Sequence, residues 1–272
     1  MPLFWLRIAL ALYGLGLVYA IFAVWGSQRL LTRITLPVVG LGTVFHLVSI
    51  VEGAMLSGNW TPASTHEMES MLAFVLMVFF FAIYLRYHST APGLAVFPMA
   101  FLLTLSAGLS PAGTAQGPAL QASNSWIYTH VTLILIGYGG LLFSFVASML
   151  YLVQEKNLKA KSTHGFWSRL PSLATMDEIG YRCLIYGFPF MTLGLIGGSV
   201  LAEAKFGPKY FLDTKILLSI LMWVVYTVLL YTRWSAGWRG RRAAYLSAFA
   251  FVAAILAWVA NNMSHTHRFI AS

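Results

Sequence analysis

Eight apolar runs, each near the length of a membrane-crossing helix, follow one another along 272 residues. They lie near 5–25, 34–56, 68–86, 92–109, 127–153, 182–203, 215–233 and 243–262. A helix needs about 20 predominantly apolar residues to cross a bilayer core. There every backbone N–H and C=O must be satisfied within the segment, so such runs fold as helices. The expected fold is therefore all-α: a polytopic integral membrane protein of about eight transmembrane helices. Only 9% of the residues are charged, against roughly 25% in an average soluble domain, and this excludes an ordinary soluble core. The fourth run is the shortest and contains Pro98, which predicts a kink or tilt. The first run contains Arg7 and lacks a small-residue cleavage site, so it reads as a retained span and not a signal peptide.

Lys and Arg between the runs set the expected orientation. Arg29 and Arg33 follow span 1, and Arg86 follows span 3. Lys156, Lys159, Lys161, Arg169 and Arg182 follow span 5; Arg233, Arg239, Arg241 and Arg242 follow span 7. The linker after span 2 has no Lys or Arg, and residues 110–126 carry no charge. Both termini are therefore expected outside, and the basic loop 154–181 inside. The linker before span 7 runs against this bias, with Lys205, Lys209 and Lys215 partly balanced by Glu203 and Asp213. The net charge of +9 is spread over short stretches and is no nucleic-acid footprint. The single cysteine, Cys183, excludes an internal disulfide, and no Cys/His pair has zinc spacing.

In this topology the seven histidines sort by depth. His88 and His164 fall in inner loops. His46 lies near the middle of span 2, where an ionisable residue is costly and marks a functional site unless a neighbouring helix satisfies it by hydrogen bonding. Glu52 lies six residues on, which is not the same helical face. His66, His130, His265 and His267 all fall on the outer side, His130 where span 5 begins and the last two where span 8 ends. Two neutral imidazoles facing each other form an axial pair for haem iron, with aromatic rings along the porphyrin faces and cations on the propionates. A site of two or three histidines for another metal stays open on these residues alone. His265 and His267 point about 200° apart on a helix, so one would ligate and the other support it. No G-x-S-x-G, P-loop or G-x-G-x-x-G pattern is present.

The segment "FGPKYFLDTKI" resembles the tryptophan-rich signature of the cytochrome c assembly membrane proteins of the CcsA and CcmC type, W-G-x-x-W-x-W-D-P-K-E. Phe206 and Gly207 stand for W-G, and Tyr210 and Leu212 for the later tryptophans. Asp213 and Lys215 match, while Thr214 and Ile216 replace Pro and Glu. The flanking "MDEIGYRCLIYGFPFMTLGLIGGSVLAE", "VVYTVLLYTRWSAGWRGRRAAYLSAFAF" and "SNSWIYTHVTLILIGYGGLLFSFVASMLYL" resemble the family's surrounding spans. The likeness covers about residues 40–268. By size and worn signature the chain is most similar to the short HemX and YpjD type.

The resemblance implies a bacterial inner-membrane protein that holds haem at the outer face and presents it to apocytochrome c. His130 would be one axial ligand and His265 or His267 the other. Phe206, Tyr210, Asp213 and Lys215 would belong to a haem-covering loop at 205–216. His46 matches the family's first intramembrane histidine, and Tyr231 stands where the second is expected. The cofactor implied is haem b, transiently bound. The implied partners are apocytochrome c, another cytochrome c assembly protein and the lipid bilayer, with no nucleic acid. The chain would be at most a component of a haem lyase, not an enzyme on its own. Residues 1–33 would form a first span and inner turn, and 34–272 the assembly-type domain. Two other readings stand beside this one. One is a HemX-like regulator of haem biosynthesis working through loop 154–181. The other is a small-molecule transporter, which should show repeated halves and broken helices; no repeat is visible.

Overall fold

A computed structural model describes residues 2–23, 29–58, 60, 65–109, 125–161, 170–206 and 214–263. Among them the chain forms eight helices and no strand: α1 (Pro2–Ala23), α2 (Arg29–Ser57), α3 (Thr65–Tyr87), α4 (Gly93–Leu109), α5 (Ser125–Lys159), α6 (Leu173–Phe206), α7 (Thr214–Trp234) and α8 (Arg241–Met263). They coincide with the eight apolar runs. Six of them (α1, α2, α3, α5, α6 and α7) are long and apolar enough to cross a membrane. Helix α4 has 17 residues, and α8 is diluted by Arg241, Arg242, Asn261 and Asn262. The chain is an all-helical, multi-pass membrane protein.

Two helices outrun their apolar segments. Helix α5 has 35 residues and α6 has 34, about 50 Å each at 1.5 Å per residue, whereas the hydrocarbon core is about 30 Å thick. The surplus is polar. The run "QEKNLK" continues α5 to Lys159, and "LATMDEIG" opens α6 at Leu173. The stretch 154–181, expected as one loop, is thus helical at both ends, because hydropathy marks the part of a helix in lipid and not its ends. Ser172 caps α6: its hydroxyl accepts the N–H of Thr175 at 3.2 Å.

The helices fall into two compact units. The first comprises Met1–Gln116 with Lys156–Pro171, the second Gly117–Glu155 with Ser172–Ser272. In the first, α1 packs on α2 and α4, and α3 packs on α4. Its centre is aromatic: Phe80 and Phe97 meet edge to face with centroids 4.6 Å apart, a geometry that suits the ring quadrupoles. In the second, Leu141, Leu184, Met191, Met222, Tyr226 and Ala250 form a buried core, and Phe145 stacks on Phe251 at 4.3 Å.

Helices α5 and α6 approach backbone to backbone. A Cβ on Gly140 would stand 2.8 Å from the Cα of Gly187, and one on Gly137 2.7 Å from the Cβ of Met191. One on Gly194 would stand 2.8 Å from Ile134, and one on Gly198 would fall on the ring of His130. Positions rise along α5 as they fall along α6, so the seam is antiparallel. Small residues at such a seam allow the close packing that drives helix association in lipid.

Candidate functional site

Two of the histidines singled out in the sequence are held in defined surroundings, one in each unit. In the first unit His46, fully buried in α2, has both ring nitrogens engaged. Its Nδ1 lies 3.3 Å from the Tyr13 hydroxyl of α1, and its Nε2 lies 2.8 Å from the Ser70 hydroxyl of α3. Tyr13 also donates to Thr43 Oγ1 at 3.4 Å, and the edge of Phe74 closes the site at 5.8 Å. A hydroxyl both donates and accepts, so a neutral imidazole with one N–H and one lone pair satisfies both partners. One imidazole thus joins α1, α2 and α3. The Oε2 atom of Glu52, lower on α2, is buried without a hydrogen-bond partner among the described residues and takes no part in this cluster.

In the second unit His130 sits in the first turns of α5, half-buried against α6. Its Nδ1 lies 2.6 Å from the carbonyl oxygen of Gly194. A carbonyl only accepts, so Nδ1 must carry the proton. In the neutral ring Nε2 is then the lone-pair nitrogen. This is the arrangement in which metal-binding histidines are usually held: one nitrogen donates to a carbonyl or carboxylate and the other coordinates. The seam makes it possible, since any side chain at position 198 would occupy the space the ring fills.

The remaining expected residues contribute less to the described structure. His265, His267, Tyr210 and Asp213 lie outside the described residues. Phe206 ends α6 and Lys215 belongs to the first turn of α7, but their side chains lie outside what is described. His66 lies one turn from Glu69 on α3, Nδ1 3.6 Å from Oε2, and belongs to neither histidine site. Tyr231, where a second intramembrane histidine was expected, points outward and is 63% exposed. Among the described residues no group of three or more His, Cys, Asp or Glu converges on a metal-sized point.

Tyr13, Ser70, Gly194 and Gly198 were not singled out in the sequence. Gly194 and Gly198 follow Gly187 at helical spacing, a legible small-residue stripe. Nothing in the sequence ties Tyr13 or Ser70 to His46.

A second polar node stands at the opposite end of α5 and α6. Asp177 accepts the guanidinium of Arg233 at 2.8 Å on Oδ2 and the N–H of Gly240 at 2.9 Å on Oδ1. The same guanidinium lies 4.7 Å above the ring of Tyr181, a cation–π distance. Before it the chain turns through Gly237, left-handed at φ 63°, and the N–H of Trp238 reaches back to the carbonyl of Thr232 at 3.1 Å. That bond folds the chain back onto the last turn of α7.

Known proteins extend these observations. The chain is 28% identical to the cytochrome c biogenesis protein CcsA of Guillardia theta, over 94% of this chain and 89% of the relative. It is 28% identical to CcsA of Prochlorococcus marinus over 76% of the chain and 74% of the relative. It is 25% identical to the protein HemX of Brevibacillus brevis, over 89% of each. The profile of the cytochrome C assembly protein family matches residues 6–267, nearly the whole sequence, and the chain belongs to that family.

Proposed function

We propose that the chain is a haem-handling component of cytochrome c assembly. It would bind haem at the outer face of a bacterial inner membrane through His130 and one of His265 and His267, and pass it on to apocytochrome c. Its likeness to proteins named for cytochrome c biogenesis supports the process. The observation that supports the site is the bond from His130 Nδ1 to the Gly194 carbonyl, which puts the proton on Nδ1 and makes Nε2 the nitrogen that would coordinate. In this reading α5 begins and α8 ends on the same side, since four antiparallel spans return the chain to the face it left. The segment 205–216 would supply aromatic rings and lysines to hold the haem. The haem would supply its iron, and the chain would orient the His130 imidazole toward it.

The surroundings of His46 do not fit a porphyrin, since ligation there would cost one of its two hydrogen bonds. In this reading His46 is a polar joint within the first unit.

The test is purification in detergent with haem supplied, followed by visible absorption. The expected result is a six-coordinate, low-spin spectrum that His130→Ala abolishes. A spectrum indifferent to that substitution would sink the axial role.

The HemX likeness over 89% of each chain favours one other reading, a regulator that works through the inner basic segment. In that case charge reversal at Lys156, Lys159 and Lys161 would change cellular haem while substitutions at His130 would not.

A further inference from the structure

The notch in α6 beneath His130 is more than a packing convenience. A Cβ built on Gly198 would overlap the His130 ring, 2.6 Å from Nδ1 and 3.1 Å from Nε2 and closer still to Cε1, and these are the three nearest atoms it meets. The obstruction is therefore the imidazole itself, the far end of a flexible side chain, and not the backbone of α5. One turn earlier on α6, the Gly194 carbonyl takes the ring's N–H. The floor of the notch and the acceptor that fixes the proton are thus supplied by two glycines four residues apart.

We infer that Gly198 is a positioning residue for haem capture. By having no side chain it lets the His130 ring settle on α6, where the Gly194 carbonyl holds the proton on Nδ1 and turns Nε2 toward the ligand. The inference rests on the proposed role of His130. With an alanine at 198 the ring swings off the helix and the bond to Gly194 breaks. The proton is then no longer assigned to Nδ1, and Nε2 no longer has a fixed direction. Partners that orient a metal-binding histidine are worth about 10- to 100-fold in affinity, and a loss in that range is expected here.

The experiment uses the full chain in detergent, with wild type, Gly198→Ala, His130→Ala and the double variant compared. Without haem, the carbethoxylation rate of His130 is measured by peptide mass spectrometry with diethyl pyrocarbonate. Gly198→Ala should raise it several-fold, because the ring has left its seat; an unchanged rate overturns the inference whatever haem does. With haem added, Gly198→Ala should bind at least about tenfold more weakly and lose low-spin character, and free imidazole should restore the low-spin spectrum. If Gly198→Ala binds as wild type does while His130→Ala does not, the seat is refuted and the ligand stands. If His130→Ala also binds as wild type does, the ligand assignment falls and takes the seat with it. Should Gly198→Ala prove unstable, the double variant must melt like His130→Ala, since the clash is with that ring. A double variant as unstable as Gly198→Ala alone overturns the inference.

Discussion

Asp177 and Arg233, 56 residues apart in sequence, meet at 2.8 Å with side chains only 16% and 9% exposed. The carboxylate spends its other oxygen on the N–H of Gly240, so one side chain ties the start of α6 to the end of α7 and to the turn into α8. An ion pair this sheltered is costly to break from one side, because the remaining charge loses its partner without regaining water.

Asp177→Ala should therefore lower stability by about 3 kcal/mol, near the low end for breaking a buried pair. Arg233→Lys keeps the charge but gives up the planar guanidinium that both stacks on Tyr181 and donates in a fixed geometry, and should cost roughly half as much. Thermal unfolding in one detergent, followed by helical circular dichroism, ranks the two. Equal losses would mean that keeping the charge without the guanidinium gains nothing, and no loss for Arg233→Lys would mean that charge alone matters at this node.

A double-mutant cycle on His46 and Ser70 measures their bond directly. Coupling between polar side chains in membrane bundles averages about 0.6 kcal/mol and reaches about 1.7. The 2.8 Å contact in a fully buried setting should fall in the upper half of that range. His46→Leu with Ser70→Ala should then be less damaging than the sum of the single changes. Strict additivity would show that the bond contributes nothing.

Gly140→Ala adds one methyl group against the Cα of Gly187 and the carbonyl oxygen of Cys183, each 2.8 Å from where it would sit. Neither obstacle is a side chain that can swing away, so α5 and α6 must part. A cost of about 1–3 kcal/mol is expected, as for overpacking in a dense core. Gly197→Ala, on α6, meets nothing within 4 Å and serves as the matched control.

Tyr231→Phe should change stability by no more than about 0.5 kcal/mol, the range of ordinary surface positions, because the side chain projects outward. A larger drop in melting temperature would reveal a contact for this hydroxyl.

The spans were legible because lipid leaves the backbone few choices. The runs at 68–86 and 215–233 differ from α3 and α7 by only a few residues. Helix ends were not legible where they leave the bilayer: nothing apolar marks "QEKNLK" as the tail of α5, yet no Gly or Pro stops it before Lys159. At the site, His130 and His46 stood out as rare polar residues in apolar surroundings. Their partners did not. Gly194 acts through a backbone carbonyl, a group every residue has, and Tyr13 and Ser70 are ordinary residues until folding aligns three helices. Sequence displays the titratable half of a hydrogen bond more readily than the half that answers it.

The joint at His46 also bears on how the first unit is made. A span released into lipid with an imidazole near its middle has a polar group to shelter. Tyr13 has already been synthesised when His46 emerges, but Ser70 follows 24 residues later. The hairpin of α1 and α2 can offer only the weaker 3.3 Å contact until α3 arrives. The first three spans are therefore best released to the bilayer together, and a nascent chain halted before Ser70 should stay beside the insertion machinery longer than one halted after it.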